Sequence, residues 1–93
     1  MVIKGKKKGE VTFVCDLAPK AKTVKLAGDF NNWQPDSHRM TKNKDGSFRT
    51  KLNLAPGRYE YKFLSDGIWL SDRDAAENVI NSYGTLNSVI CVE

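Results

Sequence analysis

Apolar and polar residues alternate in short bursts along this chain, and most bursts end at a turn-forming residue. Residues 10–16, Glu10-Val11-Thr12-Phe13-Val14-Cys15-Asp16, are rich in β-formers and partly alternating, which predicts a strand. Residues 23–27 alternate well and stop at Gly28. From Asp29 to Asp45 the chain is turn-rich, with Pro35 and Asn43 and room for one short edge strand over residues 39–42. Asp45-Gly46 opens residues 47–54, in which Phe48, Leu52 and Leu54 share one face. After Ala55-Pro56-Gly57, residues 58–65 form the clearest strand, Asp66-Gly67 the clearest turn, and residues 68–70 the start of the return strand. Residues 72–77 are too short for a stable independent helix and read as a loop. Residues 79–81 and 87–92 complete the set, separated by a break at Tyr83-Gly84. About seven short strands spaced by turn signals predict an all-β sandwich.

The Asp66-Gly67 turn also fixes which side chains share a face. A two-residue turn pairs Ser65 with Ile68, Leu64 with Trp69, and Phe63 with Leu70. Period two then gathers Tyr59, Tyr61, Phe63, Ile68 and Leu70 on the core side. Lys62, Leu64 and Trp69 fall on the opposite, outer side, with Lys62 a diagonal neighbour of Trp69. A slip of one residue would turn Trp69 inward and Ile68 outward, and flipping the partner strand would bury an unpaired ammonium.

Composition narrows the class. The 93 residues suffice for one domain with a modest core, and the 40% hydrophobic and 28% charged fractions suit a soluble globular chain. Residues 1–9 read as a flexible lysine-rich leader and residues 10–93 as a single domain. Of the fifteen basic residues, Lys4, Lys6, Lys7 and Lys8 sit in that leader, and the other eleven balance eleven acidic ones. The net charge of +4 is therefore a property of the leader, read as a solvated tail and not as a nucleic-acid contact. No apolar run approaches the roughly 18 residues of a membrane span. The leader lacks the apolar stretch of a secretory signal, which points to the cytoplasm. Cys15 and Cys91 are expected as free thiols, with a bridge between the first and last strands left open. With His38 the lone histidine, no metal or cofactor is expected.

Two tryptophans follow turn signals where a core would not place them. Trp33 closes Gly28-Asp29-Phe30-Asn31-Asn32-Trp33, and Trp69 follows Asp66-Gly67. An indole with an adjacent ammonium suits a sugar, which offers an apolar C–H face and a rim of hydroxyls.

Three segments in order resemble carbohydrate-binding module family 48, found in glycogen-branching enzymes, isoamylases and the β subunit of AMP-activated protein kinase. They are Val24 to Trp33, Gly57 to Phe63 with Asp66-Gly67-Ile68-Trp69, and Gly84-Thr85-Leu86-Asn87-Ser88-Val89. The resemblance implies an immunoglobulin-like β-sandwich that binds glycogen or starch, with Trp33 and Trp69 as stacking plates. It further implies that Lys62 and Asn87 bond sugar hydroxyls and that Thr85 makes a lesser contact. The position before Gly84 is often aliphatic in the family; here it is Tyr83, which either stacks or stays outside the site.

Catalysis is not expected. Asp29, Asp66, Asp72 and Asp74 lie in loops, but a small sandwich has little volume for the desolvated cleft a glycosidase needs. The expected function is therefore non-catalytic binding of α-1,4-linked glucan that tethers a partner to the polysaccharide. The alternative is a protein-interaction sandwich without a sugar site.

Overall fold

The computed structural model describes residues 1–93 and pairs nine strands into two antiparallel sheets. In chain order they are β1 (Val2–Lys4), β2 (Glu10–Cys15), β3 (Val24–Gly28), β4 (Thr41–Lys42), β5 (Phe48–Asn53), β6 (Gly57–Ser65), β7 (Ile68–Leu70), β8 (Glu77–Ile80) and β9 (Leu86–Val92). One sheet runs β1-β2-β5-β4 and the other β3-β6-β9-β8, with β7 added beside β6. Strand β6 organises the second sheet because it is long enough for two partners on one flank. Its first half pairs with β9 and its last three residues with β7, while β3 lines the other flank.

The inner faces meet in an aromatic core. Phe13, Phe48, Tyr61, Phe63, Val24 and Leu26 are buried, and the Tyr61 ring stands edge-on to Phe13 at 5.0 Å. Phe30 closes one end, with its ring 5.3 Å from Phe13. The Tyr61 hydroxyl donates to buried Asp72 at 2.8 Å. Burial and that carboxylate together push the phenol far above its ordinary range. Cys15 and Cys91 are free thiols in different sheets, Cys15 buried and Cys91 exposed. Burial pushes the Cys15 thiol up, so it packs as a small apolar group.

Two expectations need correction. Eight of the nine strands fall on the segments read as strands above, and the ninth falls in the leader, which was expected to be flexible. Val2–Lys4 pair with Val11–Phe13 of β2, because Val2 is a β-former that reaches the core edge. Ile68 has the parity of the core face but is 65% exposed. It lies at the tip of the β6–β7 hairpin, where the facing sheet no longer covers it.

Candidate functional site

The outer face of the second sheet carries an open cleft of about 810 Å3. Its lining is Asp29, Trp33, Glu60, Lys62, Trp69, Asn81, Ser82, Tyr83, Thr85 and Asn87. All six residues picked out from sequence, Trp33, Lys62, Trp69, Tyr83, Thr85 and Asn87, are brought together there.

Trp69 arrives by strand register. Leu64 faces Trp69 and Ser65 faces Ile68, the pairing that Asp66-Gly67 dictates. Both turn residues have positive φ, 46° at Asp66 and 85° at Gly67, as the tight hairpin turn requires. The Asp66 carboxylate ties this tip to the β3 entry, accepting from the backbone N–H of Thr23 at 2.9 Å and of Lys22 at 3.1 Å. Those backbone donors hold its carboxyl below the usual range. The Trp69 ring is left 45% exposed.

Trp33 arrives by a loop. Strand β3 ends at Gly28, where an added Cβ would lie 2.6 Å from the Glu60 carbonyl oxygen and meet the Phe30 ring. The Asn31 side chain then takes over the ladder, accepting from Gly28 N–H at 3.1 Å and donating to the Leu26 carbonyl at 3.0 Å. Asn32 and Trp33 both adopt left-handed backbone, φ 55° and 58°, turning the indole back over the sheet. The Asp29 carboxylate fixes it there. One oxygen accepts the Trp33 indole N–H at 3.0 Å, and the other accepts the Glu60 backbone N–H at 2.8 Å.

The polar floor lies between the plates. Lys62 sits opposite Ala27 on the outer face, as parity demands, but it is 7% exposed and not a solvated surface lysine. Its ammonium donates to Thr85 Oγ1 at 3.1 Å. Asn87 is 8% exposed and donates to Glu60 Oε1 at 3.1 Å. Glu60 Oε2 in turn accepts from Arg58 at 3.1 Å. Tyr83 stands on the rim, 90% exposed, at the head of the β8–β9 turn.

Sequence reasoning missed Asp29, Glu60, Asn81 and Ser82. Glu60 carried a signal, since it has the parity of Lys62 on the same strand. Asn81 carried a weaker one, as a turn-forming residue at the head of a Ser-Tyr-Gly break. No group of three His, Cys, Asp or Glu side chains is placed to hold a metal ion. The single histidine, His38, bonds the Asn31 carboxamide at 2.9 Å, away from the cleft.

Residues 8–93 match the protein family described as the glycogen recognition site of AMP-activated protein kinase. The chain belongs to this family. The glycogen recognition domain is a non-catalytic, glycogen- and starch-binding module with the β-sandwich fold of carbohydrate-binding module family 48. It is 40% identical over 73 residues to the β-1 subunit of 5′-AMP-activated protein kinase from Sus scrofa, covering 77% of this chain and 56% of that protein. It is 36% identical over 72 residues to Protein FLOURY ENDOSPERM 6, chloroplastic, from Oryza sativa subsp. japonica, covering 77% of this chain and 13% of that protein. It is 35% identical over 72 residues to Protein PTST homolog 2, chloroplastic, from Arabidopsis thaliana, covering 77% and 13% respectively. The chain thus spans from about an eighth to just over half of the length of these relatives.

Proposed function

We propose that the cleft binds α-1,4-linked glucan, with Trp33 and Trp69 stacking on the sugar faces. Lys62, Thr85 and Asn87 bond the hydroxyls, and Tyr83 covers the rim. The observation that carries this reading is the convergence of both tryptophans and all three polar groups on one open cleft. Covering roughly 80 Å2 of apolar surface on each indole contributes about 2 kcal/mol per plate. With a few hydrogen bonds, and less the ordering of the ligand, affinities of about micromolar to millimolar follow. A long polymer gains further when several modules engage it. By likeness to the longer relatives, the module tethers the protein that carries it to the polysaccharide.

Titration with β-cyclodextrin, followed by tryptophan fluorescence, tests the site, because the 2 tryptophans of the chain both line the cleft. A saturable change is expected. Retention on amylose should vanish when Trp33→Ala and Trp69→Ala are combined in a chain that stays folded. Undiminished retention would overturn the assignment of the plates.

A further inference from the structure

Asn81 organises the polar side of the cleft. Its Oδ1 accepts two backbone N–H groups, from Tyr83 at 2.9 Å and from Thr85 at 3.1 Å. Backbone N–H groups only donate, so they fix which end of the Asn81 carboxamide is oxygen. The opposite end is then the amide nitrogen, which donates to Thr85 Oγ1 at 2.7 Å and to Asn87 Oδ1 at 2.9 Å.

The consequence travels along the floor. Thr85 Oγ1 accepts from Asn81 and, at 3.1 Å, from the Lys62 ammonium. Both of its lone pairs are taken, and neither neighbour can accept its hydrogen, so the hydroxyl has only its O–H left to offer. Asn87 has one lone pair of its oxygen taken by Asn81 and one amide hydrogen bonded to Glu60, leaving one N–H and one lone pair. Lys62 uses one of its three hydrogens on Thr85 and has no lone pair at all. The carboxylates on the cleft wall accept two bonds each, Asp29 from Trp33 and the Glu60 backbone, Glu60 from Asn87 and Arg58, and their remaining lone pairs are the acceptors the wall offers.

We infer that the floor formed by Lys62, Thr85 and Asn87 presents chiefly hydrogen-bond donors to a ligand, against a single free lone pair on Asn87, and reads sugar hydroxyls mainly through their lone pairs, with Asn81 as the residue that sets this polarity. The inference rests on the glucan reading above and deepens it: the ligand must bring oxygen lone pairs to Lys62 and Thr85, and its own O–H hydrogens are left for Asn87, the carboxylate wall or solvent. Asn81 acts as a positioning residue, through Thr85 and Asn87, and not as a contact.

The test compares unmodified β-cyclodextrin with two uniformly substituted forms at each hydroxyl position, one deoxygenated and one deoxyfluorinated. Fluorine keeps lone pairs and cannot donate. At the hydroxyl that meets the floor, the deoxy form should bind about tenfold more weakly, and the deoxyfluoro form should recover a good part of that loss. Equal losses for the two forms at every position, or no loss at any, overturn the inference while leaving glucan binding intact. Failure of the unmodified ring to bind overturns both readings together. Asn81→Asp keeps the acceptor for both turn N–H groups but removes the donors, so β-cyclodextrin should bind about tenfold more weakly at a nearly unchanged melting temperature. Unchanged affinity in that variant removes Asn81 from the role. Thr85→Val keeps the side-chain shape without the hydroxyl, and it should flatten the contrast between deoxy and deoxyfluoro ligands.

Discussion

The two tryptophans of the cleft are held by different means. Trp69 is placed by a ladder of backbone pairs whose register is set by two turn residues. Trp33 is placed by a loop with two consecutive left-handed residues and a carboxylate clasp to the neighbouring strand. The first device is built into the sheet and stands as long as the sheet stands. The second is local, made of side-chain bonds at the cleft mouth, where a single substitution can undo it. One cleft therefore combines a fixed plate with a clasped one.

Removing both rings by Trp33→Ala and Trp69→Ala should weaken glucan binding at least about 100-fold, read by calorimetry with β-cyclodextrin. Either change alone should cost about 10- to 30-fold, and a negligible loss at one site would reduce the platform to a single plate. Phenylalanine substitutions separate the two devices. Trp33→Phe loses the clasped N–H along with ring area and should weaken binding about fivefold. Trp69→Phe loses ring area only and should cost about twofold. Equal losses would mean that the clasp adds nothing.

Asp29→Ala should weaken binding about fivefold in the parent chain and scarcely at all in the Trp33→Phe background, where the indole N–H is already gone. Equal effects in both backgrounds would make Asp29 a general support of the loop. The smallest effect concerns the fixed plate. Asp66 titrates below its unfolded value of 3.8 in the folded chain, so its contribution to stability is present above that pH and fades as acid carries the folded carboxyl through its own lowered value. Asp66→Asn should flatten the fall of melting temperature below about pH 4 without moving the affinity near pH 7. Asp36 and Asp45 are also held low, by Lys25 and by Ser47, so a residual acid slope should remain.

The difference in devices also accounts for what could be read from sequence. The Asp66-Gly67 turn and period two were enough to set the β6–β7 register and to send Trp69 outward, because backbone geometry leaves few alternatives. Trp33 is marked by the turn signals before it but rests more on the resemblance, since its position depends on Asp29, a contact between a loop and a strand 31 residues away. The floor was legible by parity but not by burial. Lys62 has the face expected of it, yet it is buried, in a cleft it shares with Trp33 and Tyr83, which no local pattern reveals. Asn81 went unnoticed for the same reason. Sequence places it at the end of a strand, and only the folded turn shows that its side chain reaches Thr85 and Asn87. Strand β1 escaped because three residues among lysines give no periodicity to detect.

The seam between the sheets has a consequence for how copies of this chain meet. Past the loop that carries Trp33, the backbone pairs with the flank of β3, through Leu26 N–H to the His38 carbonyl at 2.9 Å and Met40 N–H to the Val24 carbonyl at 2.8 Å. It then enters the other sheet as β4 beside β5. The edge of β3 is thereby covered, and the strands at the remaining sheet edges, β1, β4, β7 and β8, are of 3, 2, 3 and 4 residues. A second molecule approaching edge-on meets short edge strands, three of which end or begin at a charge, Lys4, Lys42 and Glu77. Crowded along a polymer, many such modules can sit side by side without zipping their sheets together.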